Sequence, residues 1–320
     1  MRTLFLPRTI MVFLCVLSFG LYSCTNTKTN DQQDLKVLAW NVWHGGHSKK
    51  YPEIGCENVI GILKHSNADV ILMIETYGAA PMVADSLGFY HELLSDNLSI
   101  YSRYPITKKY TFPNEISTFN FGGVEIDMDG TPVRLFDTWL HYLPDMRIEP
   151  VHLSEKEILA WDDEGTRDEE VRAILSTIKP FIDESDSIPV IMGGDFNGHS
   201  HLDWTEATKD LYRHGGAVVN WTVSQEMVKH GFIDSFREMN PDPVKRLGET
   251  WIYDVSEEGE EEPPTRLDRI DYIYYKGKTI EAVASDSYNA VLGEKLQFEG
   301  KDFIYTSDHG FVLTTFKIKK

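Results

Sequence analysis

Three observations predict an α/β fold. Short apolar runs of strand length alternate with stretches of helical period from Leu35 onward, the pattern of layered sheets and helices. Four of those runs end in a polar residue that a core would reject: Asn41, Glu75, His141 and Asp195. Folds of this class carry their sites at such strand–loop junctions. No internal repeat and no Pro/Ser-rich linker interrupts the chain after Leu35, so one domain over residues 35–320 is expected. A chain of 320 residues has ample length for a buried core.

Leu35–Val42 (LKVLAWNV) reads as a strand and Asn58–His65 (NVIGILKH) as part of a helix. Val70–Ile74 (VILMI) is a short unbroken apolar run, a buried strand. Leu98–Tyr101, Phe119–Met128 and Val133–Leu140 are further strands, the last two separated by the turn signal Asp129-Gly130. Arg167–Ile182 carries apolar residues at 171, 174, 175, 178, 181 and 182, a helical period that Pro180 ends or kinks. Ile188–Met192 is another buried strand, running into Gly193-Gly194. Ile270–Tyr275, Ile280–Ser285 and Phe311–Ile318 complete the strands.

The N-terminus reads as an address. Met1–Ser23 has basic Arg2 and Arg8 followed by the apolar run Ile10–Phe19, too short for a spanning helix of about 20 residues. Leu21-Tyr22-Ser23-Cys24 resembles a bacterial lipobox, which implies lipidation of Cys24; an ordinary secretory signal with an incidental Cys24 is the alternative. Residues 24–34, polar and aperiodic, suit a flexible tether. The expectation is an exported, membrane-anchored lipoprotein of a bacterium, periplasmic or at the cell surface. Processing at Cys24 would leave only Cys56, so no internal disulfide is expected despite export.

The charge narrows the partners. There are 31 basic and 50 acidic residues, a net charge of −19; removing Met1–Ser23, with two basic residues and no acid, leaves −21. Polyanions are bound largely by neutralising phosphates with Lys and Arg, so tight non-specific binding of long nucleic acid is not expected. Five glutamates cluster in Glu257–Glu262 before Pro263-Pro264, which reads as a solvated loop, with a divalent-ion site as the sharper alternative.

The polar strand ends carry the chemistry. Asn41 follows VLAW, Glu75 follows VILMI, His141 follows LFDTWL, and Asp195 and Asn197 follow IPVIMGG. Two clusters join them near the end: Arg269-Ile270-Asp271-Tyr272 and Ser307-Asp308-His309. Carboxylates with an amide oxygen, and no nearby cysteine, suit a hard cation such as Mg²⁺ or Mn²⁺ rather than zinc. An Asp and a His beside that ion supply general-base and orienting functions, while the ion polarises a phosphoryl oxygen.

The ordered motifs WNVWHGG, ADVILMIET, SIYSRYPI, FDTWLH, GGDFN, RIDYI and SDH resemble the endonuclease/exonuclease/phosphatase (DNase I-like) superfamily over about residues 35–318. The resemblance implies a four-layer α/β sandwich: two packed mixed β-sheets flanked by helices, with the site at one end. It implies Glu75 as principal metal ligand, helped by Asn41 and Asp308. It implies Asp195 near the attacking water, with Asn197 orienting that water and touching the phosphate. His309 is then the catalytic imidazole, Asp271 the carboxylate fixing its tautomer, and His141 a hydrogen-bond donor to the scissile phosphate. Whether Asp195 or His309 takes the water's proton stays open in the sequence.

Some segments depart from that pattern. Tyr142–Thr166 is longer than the simplest members need, and its Arg147 and His152 read as a surface loop or as help for a phosphate. His199 and His201, just after Asn197, are candidates to line the pocket and bind substrate, and His44-Gly45-Gly46 could approach a phosphate through its glycines. The leading function is a Mg²⁺/Mn²⁺-dependent phosphoesterase acting on a small or lipid-linked phosphoester, as a monomer anchored to a membrane through Cys24. Alternatives are a secreted nuclease, a sphingomyelinase-like phospholipase, and a catalytically inactive surface binding lipoprotein.

Overall fold

The computed structural model describes residues 32–47, 55–113, 116–144, 153–252 and 267–320. The export signal, Cys24, most of the tether, Arg147, His152 and the glutamate cluster lie outside those residues.

The chain begins with β1 (Gln32–Asn41), α1 (Gly55–Ser66), β2 (Val70–Ile74) and α2 (Ala80–Leu87). Strands β3 (Tyr90–Leu93), β4 (Leu98–Ser102), β5 (Ile106–Lys109), β6 (Phe121–Met128) and β7 (Thr131–Trp139) follow as a run of antiparallel pairs. Helices α3 (Glu155–Asp162), α4 (Arg167–Thr177) and α5 (Lys179–Asp183) then lead to β8 (Val190–Asp195). Next come α6 (Thr222–Lys229), β9 (Ile233–Asp234), α7 (Ser235–Met239), β10 (Trp251–Ile252) and β11 (Leu267–Asp268). The chain ends with β12 (Asp271–Lys276), β13 (Ile280–Tyr288), β14 (Lys295–Phe298), β15 (Lys301–Ile304) and β16 (Phe311–Lys319).

Two six-stranded sheets result, ordered β13-β16-β1-β2-β4-β3 and β5-β6-β7-β8-β12-β9. Each is mixed, with one parallel pair, β1/β2 and β7/β8 respectively. The sheets meet through the alternate side chains of their strands. Leu35, Val37, Ala39, Val70, Leu72 and Ile100 of the first face Val124, Ile126, Val133, Leu135, Ile191 and Ile273 of the second. The outer face of the first sheet packs on α1 and α2, through Trp40, Ile71 and Met73 against Val59, Ile62 and Val83. The outer face of the second packs on α4 and α6, through Phe136 and Met192 against Val171, Leu175 and Met227. Helix, sheet, sheet, helix is the four-layer sandwich expected. The strands buried on both faces are those that read as continuous apolar runs.

Three boundaries differ from expectation. The last tether residues, Gln32 to Asp34, are strand, because their backbones pair with Lys319, Ile318 and Lys317 of β16. The predicted helix over Arg167–Ile182 is two helices meeting at Ile178: Pro180 has no N–H to continue the ladder and sits in the first turn of α5. The long stretch after Tyr142 is partly helical, since Ser154 and Glu157 form a reciprocal cap that starts α3. Among the described residues, no helix is long and apolar enough to cross a membrane.

Candidate active site

The two parallel pairs point the C-terminal ends of β1, β2, β7 and β8 toward one end of the sandwich, and antiparallel β12 begins there. Asn41 ends β1 beside Ile74, and Glu75 follows at once. Asp195 ends β8 directly across from Asp271, the first residue of β12. Gly193 and Gly194 lie within β8, and their lack of side chains is a packing requirement. A Cβ on Gly193 would meet Leu72 Cδ1 at 2.6 Å, and one on Gly194 would meet the Thr138 carbonyl oxygen at 2.0 Å.

His309 Nδ1 lies 2.9 Å from Asp271 Oδ2, and its Nε2 lies 3.8 Å from Asp195 Oδ2. The imidazole is therefore oriented by one carboxylate and faces another. Its backbone is fixed as well: the Trp40 indole and the Tyr305 hydroxyl donate to the His309 carbonyl, at 3.1 and 2.6 Å. Ser307 Oγ donates to the Asn41 carbonyl and accepts from His309 N, tying the Ser307-Asp308-His309 segment to the end of β1. Thr250 Oγ1 accepts from the amides of Ile270 and Asp271. Asn197 N donates to Asp195 Oδ1 at 2.9 Å, and the Asn197 side chain donates to the Leu140 carbonyl.

Asn41 lies beside Glu75, the principal metal ligand the resemblance implies. Its Oδ1 accepts from Trp43 N, while its Nδ2 donates to both Glu75 Oε1 and Asp195 Oδ2, each at 3.1 Å. The amide thus links two carboxylates, and its oxygen, with one hydrogen bond accepted, keeps a second lone pair. Glu75 also accepts from His44 N, and Asp308 Oδ1 is buried with no hydrogen-bond partner. A buried carboxylate oxygen left bare beside a second carboxylate is an arrangement that a hard divalent cation relieves. Asp195, Asp271 and His309 form the other candidate group, their ligand-type atoms all within 4.8 Å of one another. There Nδ1 of the imidazole is already engaged by Asp271.

Charge crowding shifts these groups. Burial pushes the Asp195 carboxyl up to about 7, with His309 opposing and Asp271 reinforcing the rise. Burial likewise pushes Asp308 up to about 6, with His309 opposing and Glu75 reinforcing. For His309, burial disfavours the imidazolium, but Asp271, Asp195 and Asp308 outweigh it and hold the ring well above its ordinary range. These three acids favour the charged form of the ring.

These groups floor a cleft of about 470 Å³ whose other lining residues are largely aromatic: Trp43, His44, Tyr77, Trp139, Tyr142 and Trp251. Neither Lys nor Arg occurs among its described lining residues. Trp43, His44, Glu75, Tyr77 and Asn197 all carry positive φ, between 36° and 57°. Non-glycine residues are held there only when the surroundings over-determine them, and such strain gathers at functional sites. A larger cavity of about 560 Å³, bounded by Tyr212, Arg246, Tyr288 and Asn289, has none of these acids in its wall.

Of the expected site residues, Asn41, Glu75, Asp195, Asn197, Asp271, Asp308 and His309 come together. Three histidines do not. His141 packs on Tyr142, and its Nδ1 accepts from Leu143 N, because β7 ends at Trp139 and the chain turns away. His199 is buried between Trp204 and Trp221, 3.5 Å from Asp268. His201 Nδ1 is 2.7 Å from Ser224 Oγ. Neither is in the cleft wall, because the segment after Asn197 dives into a tryptophan cluster. Gly45 and Gly46 are also buried; a Cβ on Gly45 would meet the Thr76 carbonyl oxygen at 2.6 Å, so these glycines serve loop packing. The residue from the FDTWLH motif that lines the cleft is Trp139. A polar-residue search passes over it and over Trp43, Tyr77 and Trp251; only their position beside the polar strand ends marks them.

The endonuclease/exonuclease/phosphatase family matches residues 38–309. An uncharacterized protein of Caenorhabditis elegans, F14F9.5, is 27% identical over 312 residues, covering 93% of this chain and 96% of its own length. Among solved structures, D. rerio TDP2 complexed with single strand DNA product superposes with a TM-score of 0.57 at 16% identity, over 89% of this chain and 99% of that one. An endonuclease/exonuclease/phosphatase family protein from Bacteroides thetaiotaomicron gives a TM-score of 0.57 at 14% identity, over 90% and 98%.

Proposed function

The chain belongs to the endonuclease/exonuclease/phosphatase family, and from that premise we propose that it is a divalent-metal-dependent phosphoesterase. Its substrate on this reading is a small or lipid-linked phosphoester, cleaved by in-line attack of water. The observation that carries the reading is the buried imidazole of His309, clamped at 2.9 Å by Asp271 and facing Asp195 on the cleft floor. Beside it stand Glu75 and the bare oxygen of Asp308.

Glu75 and Asp308 would hold a Mg²⁺ or Mn²⁺ ion, helped by Asn41, whose NH₂ also bridges Glu75 and Asp195. When bound, the cation polarises a phosphoryl oxygen and offsets charge on the leaving group. Asp195 receives the proton of the attacking water, since its pKa near 7 suits a base at neutral pH. Its Oδ1 is anchored by Asn197 N, and the Asn197 amide, held by the Leu140 carbonyl, lines the same cleft, where its second N–H would reach a phosphate. His309, whose neighbouring acids favour the charged ring, is on this reading the donor and not the base. Its Nε2–H donates to the phosphoryl oxygen as negative charge builds in the transition state. Asp271 holds the proton on Nδ1 and fixes the ring.

The test is a phosphoester panel with Mg²⁺: bis(p-nitrophenyl) phosphate, p-nitrophenyl phosphate, inositol phosphates, sphingomyelin and DNA. Turnover of any small ester that EDTA abolishes and Mn²⁺ restores supports the proposal; EDTA-insensitive turnover contradicts it. A nuclease is the second reading, favoured by the aromatic cleft, which suits base stacking, and by the DNA product carried by the D. rerio TDP2 structure. The missing Lys and Arg among the described lining residues weigh against it. An inactive binding lipoprotein would have no reason to keep this full acid–imidazole set.

The proposed location is the membrane surface of a bacterium, by export and lipidation of Cys24, with the protein as a monomer. Metabolic palmitate labelling that disappears in Cys24→Ala tests the anchor; unlabelled wild-type protein contradicts it.

A further inference from the structure

The aromatic residues of the cleft fall into two walls carried by different sheets. On one side Trp43 and His44 follow β1 and Tyr77 follows β2; the His44 ring stacks on Tyr77, with centroids 5.7 Å apart, and Trp43 lies 5.5 Å from His44. On the other side Trp139 ends β7 and lies 6.0 Å from Tyr142, with Phe119 edge-on behind it. Both groups line the same cleft as Glu75, Asp195, Asp308 and His309. Trp251 stacks over His309 at 6.2 Å and narrows the floor.

Two features mark the walls as built for a ligand. All three residues of the first wall are held at positive φ, an arrangement that costs free energy and persists only where the fold enforces it. Tyr77 and Tyr142, both lining the cleft, leave 39% and 51% of their surface open, where apolar rings gain nothing from water. Flat rings facing a slot give stacking energy to any flat or ring-shaped group, with little demand on its hydrogen bonds. The absence of Lys and Arg among the described lining residues leaves the floor suited to one phosphate of low charge.

We infer that the cleft binds a monoanionic phosphodiester whose two ester groups carry rings, one ring stacking on each wall. The inference rests on the phosphoesterase reading and supplies the substrate class. Trp43 and Trp139 are then specificity-determining residues.

The experiment compares two diesters with the same leaving group, methyl p-nitrophenyl phosphate and thymidine 5′-(p-nitrophenyl phosphate), with Mn²⁺. The ring-bearing ester should show kcat/KM about tenfold higher, equivalent to about 1.4 kcal/mol. Trp139→Ala and Trp43→Leu should each shrink that ratio toward one, and Trp139→Phe should restore it. The phenyl and myo-inositol p-nitrophenyl esters tell whether an aryl or a carbohydrate ring replaces the nucleobase. Equal kcat/KM for the methyl ester and every ring-bearing ester overturns the inference and leaves the phosphoesterase reading standing.

A binding readout separates the two claims. Tryptophan fluorescence of the Asp195→Asn protein should be quenched by thymidine 5′-(methyl phosphate) at about tenfold lower concentration than by dimethyl phosphate. If neither ester is hydrolysed by the wild type but this binding preference holds, the ring slot stands and the hydrolase reading falls. Equal quenching by both esters, with no preference in rate, removes the ring slot.

Discussion

Replacing Asp271 with Asn keeps the side chain's shape and removes the charge that does most to favour the protonated His309 ring. The contact is 2.9 Å and buried on both sides, so its charge assistance is undiluted by solvent. A hydrogen bond to a charged partner contributes about 1.5–3 kcal/mol, against about 0.5–1.5 for a neutral one. The second oxygen of Asp271 is buried without a partner, so the amide NH₂ of Asn would be stranded there or would displace the imidazole proton. Together these place the loss near 2–3 kcal/mol in the transition state, a fall in kcat of roughly thirty- to a hundredfold or somewhat more. KM should stay within about twofold, because Asp271 does not line the cleft. The pH profile should shift too. Asp271 raises the His309 pKa, so its loss lets the ring deprotonate at lower pH, and the alkaline limb of kcat should move toward neutral. Steady-state kinetics on bis(p-nitrophenyl) phosphate with Mg²⁺, on protein shown folded by circular dichroism, measures both. A kcat within twofold of wild type, with an unmoved alkaline limb, refutes the reasoning.

Asp137 is fully buried on β7, neither of its oxygens has a hydrogen-bond partner, and burial raises its carboxyl well above the usual range. The native state keeps its proton while the unfolded chain loses it above about pH 4, so this group lowers stability by about 1.4 kcal/mol per pH unit as pH rises. Urea unfolding should show Asp137→Asn gaining on wild type by about that amount between pH 5 and 6; a pH-independent difference contradicts it. Gly193→Ala puts a methyl 2.6 Å from Leu72 and 3.2 Å from Ala39 between the sheets, and should cost about 1–3 kcal/mol in urea unfolding; a neutral variant would mean the sheets yield there freely. Glu75→Ala and Asp308→Ala should each weaken Mn²⁺ binding by about tenfold or more in calorimetric titration; an unchanged Kd would move the ion elsewhere, with the Asp195, Asp271 and His309 group the first place to look.

The acids were legible in the sequence because burying a carboxylate is costly, so Glu75 after VILMI and Asp195 after IPVIMGG had to answer to something besides packing. The central strands β2 and β8 were legible because they are buried along their whole length and read as apolar runs. The edges were not. Tyr90–Leu93 and Ile106–Lys109 are mostly exposed and polar, and only pairing with β4 and β6 makes them strands. The histidines misled because proximity in sequence to Asn197 says nothing about where the chain turns. Trp204 and Trp221 draw His199 into their own cluster, and His141, two residues past the end of β7, is engaged by Leu143 N and Tyr142. The aromatic walls were invisible because a tryptophan at a strand end is read as core until neighbouring strands leave it facing a cleft.

The central claim is that Asp195 and His309 perform metal-assisted hydrolysis of a phosphoester in this cleft. It is tested most directly by the rate of bis(p-nitrophenyl) phosphate hydrolysis with saturating Mg²⁺ in wild type, Asp195→Ala and His309→Ala, each checked for folding. The account predicts measurable wild-type turnover and a loss of at least about a hundredfold in each variant. Turnover retained in both variants would contradict it.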